Sequence, residues 1–187
     1  LYLGRMKIVD ENLLPVGETA RPRQPPALQN ALVQAIAAGC TMVLNRAAHK
    51  LLACNLPDPN RVVMHDWWIY QVIAALGVVE YDDQPHMLYR QHQSNVFGCR
   101  AGLKLWWYRA RRFLTPGRSV GIVRQAVELD RVFRGQLPED SAIVLQKFVD
   151  GCNDPSVLSR LRYALSAEIY RQSRVDDILL RTLLVLG

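Results

Sequence analysis

Hydrophobic positions divide the chain into two parts with different periodicities. Up to residue 98, short apolar runs alternate with helical stripes, and turn-forming residues separate them. Alternating strands and helices are typical of an α/β domain. The pattern predicts strands at 1–9, 40–44, 78–81 and 86–90, and helices at 27–35, 45–54 and 66–76.

After Gly98 the pattern is helical throughout. Apolar residues recur at helical spacing over 101–114. The same stripe appears in four further segments, 120–133, 141–149, 155–170 and 176–186. We therefore predict an α/β portion over residues 1–98 and an all-helical, basic region over residues 99–187.

Charge is placed unevenly between these two parts. The net charge is +6, yet basic and acidic side chains are equal in number up to residue 99. The segment 100–114 contains several Arg and Lys interleaved with Trp106 and Trp107. Such a segment is typical of a helix that binds a membrane surface. A helix packed on the domain with a solvated basic face explains it equally well, and nucleic-acid binding ranks below both because no recognition motif accompanies the charge.

Cysteine usage and hydropathy indicate the compartment. The four cysteines are scattered without a CxxC pair, which favours a reducing compartment over a disulfide framework or a zinc site. No apolar run approaches the roughly 18 residues of a membrane span. We expect a cytoplasmic protein, with peripheral contact to the inner face of the cell membrane through residues 100–114 as an open alternative.

Two polar positions are candidates for chemistry. Asp66 begins a helix, where the macrodipole favours a carboxylate that acts as a general base. Asp is also an ordinary N-cap residue. His92 lies in the polar segment 89–95, and its imidazole can bind a divalent metal beside a phosphate-facing Arg90. Taken singly, a helix cap and a solvated loop histidine are the simpler interpretations.

Three further short segments could contribute to a binding site: Gly39, the adjacent tryptophans and Asp82-Asp83. Gly39 precedes a β-favourable run and allows a ligand to approach the backbone closely, or it marks an ordinary bend. Trp67 and Trp68 are adjacent, so we expect one of them to line a cleft where it can stack on a sugar ring. Asp82-Asp83 precedes Pro85, which favours a solvated turn between two strands over a metal motif.

The order of these motifs resembles the second half of the family 2 glycosyltransferases. The closest resemblance is to the bacterial rhamnosyltransferase-like branch, which builds cell-surface polysaccharides. It covers residues 1–98, whereas the helical region matches loosely. The segments that carry it are 37–46, 65–68, 81–85, 88–92 and 95–98.

This resemblance implies a GT-A fold and an inverting transfer from a nucleotide-diphospho-sugar to a saccharide or lipid-linked acceptor, with no nucleic-acid partner. Asp66 takes the position of the catalytic base, and Trp67 that of an acceptor platform. His92 takes the place of a metal-side histidine, with Arg90 at the diphosphate. The positions beside the acceptor and donor sugar fall to Gly39, Cys40, Thr41 and His65.

A divalent metal, Mg²⁺ or Mn²⁺, is also implied by the resemblance. The family's nucleotide-binding strands and its Asp-x-Asp metal motif precede the segment that matches 1–9, so we expect those ligands upstream of this chain. The 187 residues alone are then expected to be inactive. The alternative to an enzyme is a truncated remnant that acts as a non-enzymatic membrane-surface or protein-interaction module.

Overall fold

A computed structural model describes residues 1–90 and 118–186, and it shows a small mixed sheet covered by helices. The first strand, β1, is central. It pairs antiparallel with β2 and β3, which share one of its edges, and parallel with β4 on the other edge. The strands are β1 (Tyr2–Val9), β2 (Pro15–Glu18), β3 (Met42–Val43) and β4 (Glu80–Arg90).

The helices confirm the predicted change of pattern along the chain. Within residues 118–186 the structure contains helices and no strand. The first helix is a single turn, shorter than the predicted 27–35. The helices are α1 (Leu28–Ala31), α2 (Arg46–Cys54), α3 (His65–Leu76), α4 (Arg118–Phe133), α5 (Glu139–Asn153), α6 (Val157–Ser166) and α7 (Arg174–Leu186), and 3₁₀ turns lie at Gly39–Thr41 and Pro59–Arg61.

The predicted turn at Asp82-Asp83 is wrong, because β4 runs through it as one strand. Both ends of β4 pair in parallel with β1, and the register jumps from Gly4↔Asp82 to Arg5↔Pro85. An Asp82 carboxylate oxygen accepts the backbone N–H of Gln84 at 2.7 Å, as in a turn. Pro85 has no backbone N–H to donate to the neighbouring strand, and a bulge is one of the places in a sheet where proline is tolerated. The turn chemistry is therefore real, but it produces a bulge within a single strand.

Both tryptophans of α3 are buried, on different sides of the helix. The Trp67 indole N–H donates to the carbonyl of Ala31 at 2.6 Å. The Trp68 ring stacks on Phe133, with ring centroids 6.4 Å apart and an interplanar angle of 30°. Because α3 lies between α1 and α4, Trp67 can face α1 while Trp68 faces α4.

The described helical region shares one hydrophobic core with the α/β portion. Gln125 of α4 accepts the backbone N–H of Val63 at 2.8 Å and donates to the Gln71 side chain at 2.9 Å. The Ser141 hydroxyl donates to the carbonyl of Ala75 at 2.7 Å. These bonds fix α4 and α5 against α3, whose first turn contains Asp66. The division at residue 98 remains a prediction about domains.

Glu128 links α4 to the segment that precedes α3. Its side chain is 0% exposed and lies 3.9 Å from the Arg61 guanidinium. It accepts from Arg131 at 2.6 Å and from the backbone N–H of Asp58 at 2.7 Å. The Arg131 hydrogen bond is the main cause that holds the pKa of Glu128 below its ordinary value of 4.5.

We expect Glu128 to make stability dependent on pH. A carboxyl whose pKa is lowered on folding contributes stability above its unfolded value, and this is lost as pH falls through the folded value. Glu128→Gln should lower the free energy of unfolding at pH 7 by about 2 kcal/mol and flatten the decline below pH 4.5. Thermal unfolding from pH 7 to pH 3 measures this, with exposed Glu139→Gln as the control. Parallel pH profiles for wild type and Glu128→Gln would contradict it.

Candidate active site

Asp66 lies in the first turn of α3, as its sequence position predicts. The N-cap residue is Met64, whose side chain makes no capping bond. Asp66 is only 3% exposed, and its Oδ1 accepts the backbone N–H of Trp67 at 2.7 Å. A carboxylate in this position receives the favourable field of the helix N-terminus. Among the described residues, nothing donates a hydrogen bond to the other oxygen, Oδ2.

The Gly39–Thr41 turn passes directly against the start of α3. A Cβ built on Gly39 would lie 3.0 Å from Nε2 of His65 and 3.5 Å from the Asp66 Cβ. Two segments that are distant in sequence therefore meet at one place. A side chain at position 39 would have to shift the exposed His65 imidazole by a few tenths of an ångström.

The neighbours of Gly39 have different surroundings. Thr41 is buried, and its hydroxyl donates to the carbonyl of Ala38 at 2.9 Å, which stabilises the turn. Cys40 is exposed, and its Sγ lies 3.9 Å from the Met6 sulfur. His65 is also exposed. Cys40 and His65 are therefore accessible beside Asp66, whereas Thr41 supports the backbone.

Gly39→Ala tests this close approach. The added methyl group must move the His65 imidazole by a few tenths of an ångström. Because misplacement beside reacting groups is costly, we expect about a tenfold lower rate for any reaction at Asp66, with unfolding free energy changed by less than about 1 kcal/mol. Kinetics and thermal unfolding of the two proteins measure this.

The matched control is Gly4→Ala, whose added Cβ would meet Tyr2 at an ordinary 3.8 Å. A double variant, Gly39→Ala with His65→Ala, removes the clash and should show strong non-additivity. Additive effects in this cycle would contradict the contact between the two positions.

Three other predicted site residues have different outcomes. The role of Trp67 as an acceptor platform does not fit the structure. Its ring is buried, 5% exposed, and its N–H is bonded inside the core, so it offers no platform to a ligand. Arg90 ends β4, where it pairs with Val9, and is exposed. His92 lies outside the described residues. The roles given to Arg90 and His92 stay predictions.

The described residues do not form a metal site by themselves. Within 1–90 and 118–186, no three His, Cys, Asp or Glu side chains converge on one point. Asp82 bonds the Tyr2 hydroxyl and, at 2.9 Å, the His86 imidazole. The Tyr2 bond is the main cause that lowers the pKa of Asp82 to about 2. The predicted Mg²⁺ or Mn²⁺ therefore has no fitting ligand set among the described residues.

A large apolar groove opens beside His65, and Trp68 lines it, as the sequence predicts for one of the two adjacent tryptophans. This α2–α3 groove has a volume of about 890 Å³ and lies between α2, the Pro59–Arg61 turn and the start of α3. Its walls include His49, Leu52, Leu56, Val63, His65 and Trp68. On the α2 side the lining positions 49, 52, 53 and 56 follow helical spacing, but this pattern does not show which residues form the opposite wall.

No helix in the described parts of the chain combines the length and the apolar content needed to cross a bilayer. The predicted membrane-surface segment, 100–114, lies outside those parts.

Comparison with known proteins gives one distant relative. No family model matches the chain, and no solved structure matches it significantly. Over 160 residues, 82% of the chain, it is 25% identical to the dTDP-rhamnosyl transferase RfbG of Shigella flexneri. The matched segment is 50% of that protein, so the chain spans about half the length of the curated relative. The similarity supports a glycosyltransferase-like relationship for this chain.

Proposed function

We propose that this chain forms the acceptor side of an inverting, GT-A type glycosyltransferase. It transfers a sugar from a nucleotide-diphospho-sugar to a hydroxyl of a cell-surface saccharide or a lipid-linked acceptor. The observation that carries the proposal is the buried Asp66 carboxylate, held at a helix start against the Gly39 backbone. The similarity to a rhamnosyltransferase supports the reaction class and favours rhamnose as the sugar.

Asp66 is the proposed general base. Its Oδ1 is fixed by the Trp67 N–H, which leaves Oδ2 to take the proton from the acceptor hydroxyl. The acceptor oxygen then forms a bond to the anomeric carbon. The bond from that carbon to the diphosphate oxygen breaks on the opposite face, and the diphosphate leaves with the electron pair. The anomeric configuration is inverted.

The residues around Asp66 position the reacting groups in this proposal. Gly39 lets the sugar and the α3 start approach each other without a side chain between them. His65 and Cys40 are exposed beside it and contact sugar hydroxyls. Arg90 and His92 are proposed to face the diphosphate. A divalent metal is implied by the resemblance to the family, and its ligands would lie outside the described residues.

The stereochemistry of the product tests the mechanism. The intact protein is incubated with dTDP-rhamnose and candidate saccharide or lipid-linked acceptors, and the glycosidic product is analysed by NMR. We expect the anomeric configuration opposite to that of the donor. A product with retained configuration would overturn the role of Asp66 as a base in a single displacement.

A further inference from the structure

The α2–α3 groove has the dimensions of a ligand site. Its volume of about 890 Å³ lies within the range of about 300–1,000 Å³ that is usual for small-molecule pockets. Within residues 1–90 and 118–186, every lining side chain apart from His49 and His65 is apolar. Leu56 is 75% exposed and Val63 42% exposed at its edges. A single exposed leucine is ordinary, but exposed apolar residues around one concavity indicate binding.

Positive charge lies along the α2 side of this groove. Arg46 and Lys50 are exposed, and helical spacing places them on the same face as the lining residues His49 and Ala53. The helix contains no acidic residue to neutralise them. Asp58, between the lining residues Pro57 and Pro59, is paired with Arg61 at 3.7 Å. The exposed cations of α2 therefore leave positive charge beside an apolar interior, which matches a ligand that has an apolar chain and an anionic group.

The groove also reaches the candidate active site. His65 lines it, and the same imidazole lies 3.0 Å from the position of a Cβ on Gly39. Asp66 follows His65 in the first turn of α3. A molecule whose chain fills the groove would therefore have one end at His65, the residue before Asp66.

We propose that the α2–α3 groove binds the apolar chain of a lipid-linked acceptor that carries a phosphate. The chain packs against Leu56, Val63 and Trp68, and the phosphate faces Arg46 and Lys50. The acceptor hydroxyl then lies at Asp66. This inference rests on the proposed function and narrows its acceptor from saccharides in general to anionic lipid-linked saccharides.

Decyl phosphate, below its micelle concentration, is the probe for the groove. Calorimetry on the intact protein should show saturable binding. Uncharged 1-decanol and inorganic phosphate should each bind about tenfold more weakly or worse, since each lacks one of the two contacts. Leu56→Gln, which places an amide in the groove, should weaken decyl phosphate about tenfold. Arg46→Gln with Lys50→Gln should weaken decyl phosphate but not 1-decanol.

Matched controls lie on other helices. Leu165→Gln changes a leucine of α6 that is also 75% exposed, and Lys147→Gln removes an exposed lysine of α5. Both should bind decyl phosphate like the wild type. Absence of saturable binding, or equal losses in Leu56→Gln and Leu165→Gln, would overturn the proposal. The proposal would also be overturned if the protein bound an amphipathic peptide or anionic vesicles but did not bind decyl phosphate.

Acceptor kinetics separate this inference from the proposed function. In the intact protein, Leu56→Gln should raise KM about tenfold for a lipid-linked acceptor and leave KM for the same saccharide without lipid unchanged. If both KM values stay unchanged, the groove proposal fails while the transferase stands. If no acceptor is glycosylated although decyl phosphate binds, the acceptor role of the groove fails together with the proposed function.

Discussion

Asp66→Asn is expected to lower the rate of sugar transfer by about 100- to 10,000-fold, the contribution of a positioned general base. Asparagine has the same shape, and its carbonyl oxygen can still accept the Trp67 N–H that Oδ1 accepts now. The fold should therefore survive while proton removal from the acceptor hydroxyl is lost. Steady-state kcat of the intact protein, with circular dichroism and thermal unfolding beside it, measures both effects.

The control for this variant is an acid away from the α3 start. Asp83 lies in the β4 bulge, its side chain is 55% exposed, and its ion-pair distance to Arg21 is 4.0 Å. Asp83→Asn should keep wild-type kcat, because surface pairs of this kind contribute little. Turnover retained in Asp66→Asn would show that another group is the base.

Phe133→Ala should lower the free energy of unfolding by about 3–5 kcal/mol. Phe133 is fully buried, and its ring packs on Trp68 in the helix that begins at the candidate site. The cavity left by the ring would loosen α4 from α3. Denaturant unfolding measures the stability loss.

The same helix provides the control for Phe133. Val120 is 60% exposed in α4, and Val120→Ala should stay within about 0.5 kcal/mol of wild type. A loss below about 1 kcal/mol in Phe133→Ala would mean that α4 does not pack on α3 in solution. The helical region would then be independent of the site.

The helices were predictable from the sequence because their determinants are local. The Asn45 side chain accepts the backbone N–H of Ala48 at 2.9 Å and caps α2, where the pattern placed the helix start. Gly77 ends α3 as predicted, and its N–H bonds the carbonyl of Ile73 at 2.9 Å. Residues within one turn of each other determine both features.

The errors arose where distant residues decide the structure. The turn chemistry of Asp82 is the same in a hairpin and in a bulge, and only pairing with β1 selects the bulge. The burial of Trp67 depends on Ala31, whereas Trp68 lines the α2–α3 groove, as expected for one of the two rings. A sequence pattern contains the apolar character of these residues but not the partners that cover them.

The candidate site was predicted in part for the same reason. Asp66 stood out from its local position at a helix start. The meeting of Gly39 with His65 was implied by the order of the motifs, and the structure gives its distance of 3.0 Å for an added Cβ. The full shape of the α2–α3 groove could not be predicted from local patterns, because its walls come from two helices and the turn between them.

If this chain forms the acceptor side of a sugar-transferring site, the intact wild-type protein should release dTDP from dTDP-rhamnose in a manner that depends on the acceptor. We expect dTDP release only when donor and acceptor are both present, with one sugar gained by the acceptor for each dTDP released. Equal release without acceptor, or no release from any sugar nucleotide with saccharide or lipid-linked acceptors, would contradict it.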